Sequence, residues 1–154
     1  MTDIFKKLHH VCIVVRDVRR TAAYYQSVGI GPWHDYPPLA QFTELDVPNP
    51  DGFQGTIYKY TDIANVQIQL CQPSELDSPQ RRFLDKHGEG VFHLGFDVPD
   101  CDAGEDMGRA MGLKVLMRGR RPNGSGFTHF DTAAKAGGVV LEIRASPPVT
   151  GHKA

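Results

Sequence analysis

Four polar residues, His10, Gln69, His93 and Glu142, are each set into an apolar, strand-like run, and their types could do chemistry together. Strand alternation sets His10 opposite Val11, Ile13 and Val15, and His93 opposite Phe92, Leu94 and Phe96. In VQIQL, Gln67 and Gln69 take the face that Val66, Ile68 and Leu70 leave, and Glu142 lies among Val140, Leu141 and Ile143. An imidazole or carboxylate buried without a partner is unfavourable by several kcal/mol. One divalent cation would satisfy all four. Two imidazoles, a carboxylate and an amide oxygen suit Co, Ni, Mn, Fe or Zn better than soft-ligand copper or all-oxygen calcium sites. For any one of them alone a second reading stands: a strand histidine is often a hydrogen-bonded filler, and an exposed glutamine needs no explanation.

A repeat brings them under one pattern. With His10 set over His93, Val15 and Val98 fall five residues on, Asp17 and Asp100 seven on, and Gly29 and Gly112 nineteen on. In the first copy VCIVV reads as a strand, Asp17 as an N-cap and VRRTAAYYQSV as a helix ending at Gly29. Residues 31–55, rich in proline and polar residues, read as a long loop with one strand near Phe42 to Leu45. TIYKY and VQIQL read as a hairpin, and SPQRRFLDKHG as a helix opened by Ser78 and Pro79 and closed by Gly88. The second copy runs strand, helix from about Asp102 to Ala110, then strands at 114–118, GFTHFDT and GGVVLEIRA. The tail from Ser146 on carries no such pattern and is expected to be loose. Each half reads as a strand, a helix and then strands, with no linker between the halves.

The totals set limits. A chain of 154 residues is one ordinary domain. Seventeen basic against eighteen acidic side chains, with no basic run among aromatics, give no support to nucleic acid or a membrane surface as partner. Apolar runs of four or five residues are too short to span a bilayer, and MTDIFKKLHH lacks a signal-peptide core. Cys12, Cys71 and Cys101 are odd in number and widely spaced, so a reducing cytoplasm is the expectation.

The pattern H-h-x-h-x-V-x-D, a helix to Gly, a strand bearing Gln or Glu, and the same again ending in h-E-h resembles the vicinal oxygen chelate superfamily. That group includes glyoxalase I, methylmalonyl-CoA epimerase, extradiol dioxygenases and antibiotic-resistance proteins. The likeness covers about residues 7–145. It implies an α+β fold: two βαβββ modules forming one cupped mixed sheet around a central metal. Module one would span about 7–75, a connecting helix 78–88 and module two about 90–145, all one domain. The implied ligands are His10, Gln69, His93 and Glu142, holding one divalent Co, Ni, Mn or Zn. VQIQLCQP and SPQRRFLDKHGEGVFHLGFDV resemble the epimerase branch specifically.

The likeness to epimerases implies proton transfer beside a thioester or ketone carbonyl through an enolate, on an acyl-CoA or related acid, with Glu142 as ligand or base. It also implies a homodimer. Two departures stand out: FDTAAKAGG replaces a His-Pro-Lys-Ser motif, and Phe53 stands where a second acid is expected, with Glu44, Asp46 or Asp51 as substitutes. Arg118, Arg120 and Arg121 flank a glycine-rich turn and read either as a solvated loop or as contacts for a coenzyme A tail. Trp33 reads as a pocket wall or as packing, and His9, His34, His87 and His129 as non-ligands. The alternatives are a glyoxalase I-type lyase and, less favoured, a ring-cleaving dioxygenase or a non-catalytic binding protein.

Overall fold

The helices begin where the capping residues place them. Asp17 is extended and its carboxylate accepts from the Arg19 and Arg20 amides, opening α1 (Val18–Ser27). Asp100 does the same for α4 (Cys101–Ala110) through the Ala103 amide. Ser78 accepts from the Arg81 amide ahead of Pro79 and opens α3 (Pro79–His87). The computed structural model describes residues 3–147, so most of the tail expected to be loose lies outside the described residues.

The strands form one nine-stranded mixed sheet. Module one supplies β1 (Leu8–Val14), β2 (His34–Asp35), β4 (Ile57–Ile63) and β5 (Val66–Gln72). Module two supplies β6 (Gly90–Asp97), β7 (Val115–Arg120), β8 (Gly126–Phe130) and β9 (Val140–Ala145). The short β3 (Glu44–Asp46) completes the order β2-β4-β5-β1-β6-β9-β8-β7-β3. In each half the last strand lies parallel beside the first, β5 on β1 and β9 on β6, and the halves meet along the antiparallel pair β1–β6. This is the expected α+β architecture of two βαβββ modules.

The segment between β2 and β3 forces the cup. Laid flat, nine strands would separate the sheet's edges by about 38 Å. The chain from Asp35 to Glu44 reaches about 30 Å at full stretch, and β2 and β3 are the two edges. The sheet must curl. Residues 31–55 are thus more ordered than a loop. A 3-10 turn (Leu39–Gln41) and a short helix α2 (Pro50–Gln54) lie within them, and β3 pairs across the cup with β7. PNPDG reads as a turn from its composition, but Asn49 and Pro50 are also an N-cap and a first helical residue, and that role prevails.

Helices cover the outer face. Beneath α4, Val98, Cys101, Phe130 and Ile143 form a buried cluster. Gly104 and Gly108 let that helix lie close: a Cβ at Gly108 would collide with the ring of Phe130, which is fully buried. Gly108→Ala is expected to destabilise the fold by about 1–3 kcal/mol despite its better helix propensity. Urea denaturation measures this, and an unchanged or raised midpoint would contradict it. All three cysteines are buried and free.

Arg118 and Arg120 belong to this outer packing. The Arg120 guanidinium is buried and donates to Asp102, Glu105, Thr128 and the Phe127 carbonyl. Arg118 donates to Glu105 and Asp102. Both tie α4 to the β7–β8 hairpin and are committed to carboxylates, which removes them from the coenzyme A reading. Arg121 differs and lines the inner cavity.

Candidate functional site

The register of four adjacent strands builds the floor of the cup. His129 on β8 pairs with Glu142 on β9, Glu142 with Gly95 on β6, and Gly95 with His10 on β1. Paired residues project to the same side, so these four share the concave face. Gly95 sits between Glu142 and His10, and having no side chain, it leaves the space that the His10 ring fills. His10 Nε2 therefore reaches Glu142 Oε2 at 3.0 Å. His93 Nε2 arrives from β6 at 2.9 Å from His10 Nε2 and 3.5 Å from Glu142 Oε1.

These three residues offer ligand atoms that all lie within 4.8 Å of one another, and each is at most 6% exposed. With bonds of about 2.1 Å, neighbouring ligand atoms of an octahedral ion are separated by about 3.0 Å. The His10–His93 and His10–Oε2 spacings of 2.9 and 3.0 Å match such edges, while His93 approaches the other oxygen, Oε1, at 3.5 Å; two imidazoles and a carboxylate are a donor set that suits a divalent cation. Gln69 on β5 is buried and lines the same cavity. Its amide nitrogen is taken by Gln67 Oε1 at 2.8 Å, which leaves the carbonyl oxygen as its available ligand atom.

His129 was not expected here. Its Nε2 lies 2.5 Å from Glu142 Oε1, it is buried, and its ring centroid is 4.6 Å from that of His93. The repeat hides it, because the matching place on β4, opposite Gln69, holds Tyr60 rather than a histidine. The alternation of GFTHF about the neighbouring Glu142 strand is the signal that could have found it. His9 also has a role, its Nδ1 lying 2.8 Å from His10 Nδ1 and orienting that ring.

The surrounding histidines favour an ionised carboxylate at Glu142. Burial alone would push the Glu142 carboxyl up, but His10, His93 and His129 outweigh it and hold the group well below the usual carboxylate range. Burial holds His93 well below the ordinary imidazole value, against the pull of Glu142. Burial, with Arg144 adding to it, lowers His9 from 6.5 to about 4. The unfolded chain takes up the His9 proton below about pH 6.5, whereas the folded protein does so only near 4. Stability is therefore expected to fall as pH drops through that window. Urea midpoints near pH 7 and near pH 5 test this, and a flat profile would contradict it.

The cavity above the floor opens to solvent, and with its mouth included spans about 560 Å³. Tyr36, Leu39, Phe42, Phe53, Tyr58 and Phe127 form its walls, and Arg121 and Arg144 also line it. Glu142 is the one carboxylate among the lining residues. Phe53 occupies the wall, while Glu44, Asp46 and Asp51 are exposed and do not line the cavity. None of the three substitutes for a second acid. Trp33 packs against Tyr25 and donates to the Ile30 carbonyl, so it serves as packing.

Comparison with known proteins places these features in a family. The ethylmalonyl-CoA/methylmalonyl-CoA epimerase of Cereibacter sphaeroides is 28% identical over 114 residues, 73% of this chain and 76% of that protein. The human mitochondrial methylmalonyl-CoA epimerase is 31% identical over 98 residues, covering 63% of this chain and 49% of that protein. This chain thus matches only about half the length of the human relative. The crystal structure of methylmalonyl-CoA epimerase from Mycobacterium tuberculosis superposes with a TM-score of 0.72 at 26% identity, covering 96% of this chain and 93% of that one. A variant of the Streptomyces coelicolor enzyme in complex with 2-nitronate-propionyl-CoA gives 0.68 at 26% identity, covering 91% and 96%. The model of the glyoxalase/bleomycin resistance protein/dioxygenase superfamily matches residues 9–130, and the chain belongs to that superfamily.

Proposed function

We propose that this protein is an epimerase-type isomerase that moves a proton at the carbon beside a thioester or ketone carbonyl. The observation that carries the reading is the convergence of His10, His93 and Glu142 at the floor of one cavity. The epimerase relatives supply the reaction class. His10, Gln69, His93 and Glu142 would hold one divalent ion, Co, Ni, Mn or Zn. When bound, it supplies Lewis-acid stabilisation of negative charge growing on a carbonyl oxygen.

The chain's own residues do the rest. Glu142 accepts the proton from the substrate carbon, and the C–H electron pair moves onto the carbonyl oxygen to give an enolate. Return of the proton after the enolate has turned its other face to Glu142 gives the epimer and restores the carboxylate. His129 holds Oε1 of the carboxylate and His10 faces Oε2, so the base is fixed in direction before substrate arrives. Three buried free thiols suit a reducing compartment such as the cytoplasm, and no described helix is long and apolar enough to cross a membrane. We read the assembly as a homodimer, with the exposed Tyr24 on α1 and Val28 at its C-terminal cap as apolar surface for it; sedimentation as a monomer would refute this.

The test is hydrogen exchange at C2 of methylmalonyl-CoA in D2O, followed by NMR with cobalt-loaded protein. Deuterium uptake is expected. Absence of uptake with one equivalent of cobalt bound would rule out that substrate.

A further inference from the structure

We infer that the substrate of this site is an acid carrying an aromatic ring on, or next to, the carbon that loses its proton. The inference rests on the enolate reading above and names the class of acid. Five rings, Tyr36, Phe42, Phe53, Tyr58 and Phe127, stand above the His10–His93–Glu142 floor. They fall into two groups. Phe53 and Phe127 are stacked at 5.8 Å and 17°, with Phe42 edge-on to both at 6.1 and 5.2 Å. Tyr36 and Tyr58 form the second group, 5.7 Å apart.

Two of the five rings, Tyr36 and Phe42, come from the segment that crosses from β2 to β3, and Phe53 follows on α2, so the walls are largely a feature of residues 31–55. Both groups line the one cavity that holds the chelating floor, and a methyl substituent offers them little apolar area. A flat ring can meet two aromatic faces at once, adding stacking to the gain from area removed from water.

Charge and reactivity agree with this class. Arg121 lines the cavity, and among the described residues no carboxylate pairs with it. Its nitrogens donate to Gln41 Oε1 and Ser125 Oγ, and its guanidinium carbon lies 4.4 Å above the Phe42 ring. The other lining arginine, Arg144, is paired with Asp97 at 2.6 Å. A guanidinium with no carboxylate partner at the cavity wall favours an anionic ligand. An aryl group also spreads the charge of the carbanion, making the C–H more acidic. That suits a cavity with one carboxylate and a phenylalanine in place of a second.

The experiment compares phenylmalonate with methylmalonate, two diacids with the same chelating end, by calorimetric titration of zinc-loaded protein. Phenylmalonate is expected to bind about tenfold more tightly or better. Phe127→Leu, and separately Tyr36→Leu on the half-exposed segment, are expected to shrink that ratio towards one while circular dichroism stays native. Equal affinities in the wild type, or tighter binding of methylmalonate, would overturn the inference and leave the proposed function standing; the rings would then be packing only. A wild-type preference that neither variant reduces would overturn it too. If neither diacid binds the zinc-loaded protein, the chelating floor itself is misread and both readings fall.

Discussion

Glutamine in place of Glu142 is expected to cut C2 exchange by about 10²–10⁴-fold, the usual range for loss of a positioned general base. The substitution is nearly isosteric, so the cavity keeps its shape. The amide lacks the negative charge and proton affinity of the carboxylate, however, and presents N–H where His129 now meets Oε1. Because Glu142 is also a proposed ligand, the variant should be tested with saturating cobalt and its bound metal measured alongside. Full occupancy with exchange lost separates the base role from the ligand role. Exchange at the wild-type rate would assign the base to another group.

The second large effect removes no ligand at all. Gly95→Ala places a methyl where the His10 ring lies, against its Cε1, Nε2 and Nδ1. The ring is 2% exposed and has no room to retreat without leaving Glu142. Cation affinity is expected to fall about 10–100-fold, the range for losing the support of a ligand, and stability by about 1–3 kcal/mol. Gly90→Ala on the same strand is the control, since the nearest atom to its added methyl is Phe83 Cζ at 4.0 Å. Cobalt titration and urea denaturation of both variants decide this. Equal behaviour of the two would show that Gly95 is not the cradle of His10.

What could be read from residue types alone was whatever the repeat carries twice. His10 and His93 start equivalent strands, Gln69 and Glu142 end the two modules, and Asp17 and Asp100 cap equivalent helices. What escaped depends on partners distant in sequence. Arg118 and Arg120 look like a basic turn until Asp102 and Glu105, on a helix earlier in the chain, are folded against them. His129 has no histidine in the other copy, so only the register of β8 on β9 brings it to Glu142. The crossing of β3 to pair with β7 is set by chain reach and sheet width, which local composition does not encode.

His10, Gln69, His93 and Glu142 are proposed to form one metal-binding floor. Titrating metal-free protein with cobalt, following the visible d–d bands and bound metal together, tests it most directly. One equivalent is expected, with bands that weaken or shift in Gln69→Ala and binding lost in His10→Ala and in His93→Ala. Failure to bind cobalt, or binding unaltered by all three replacements, would contradict the account.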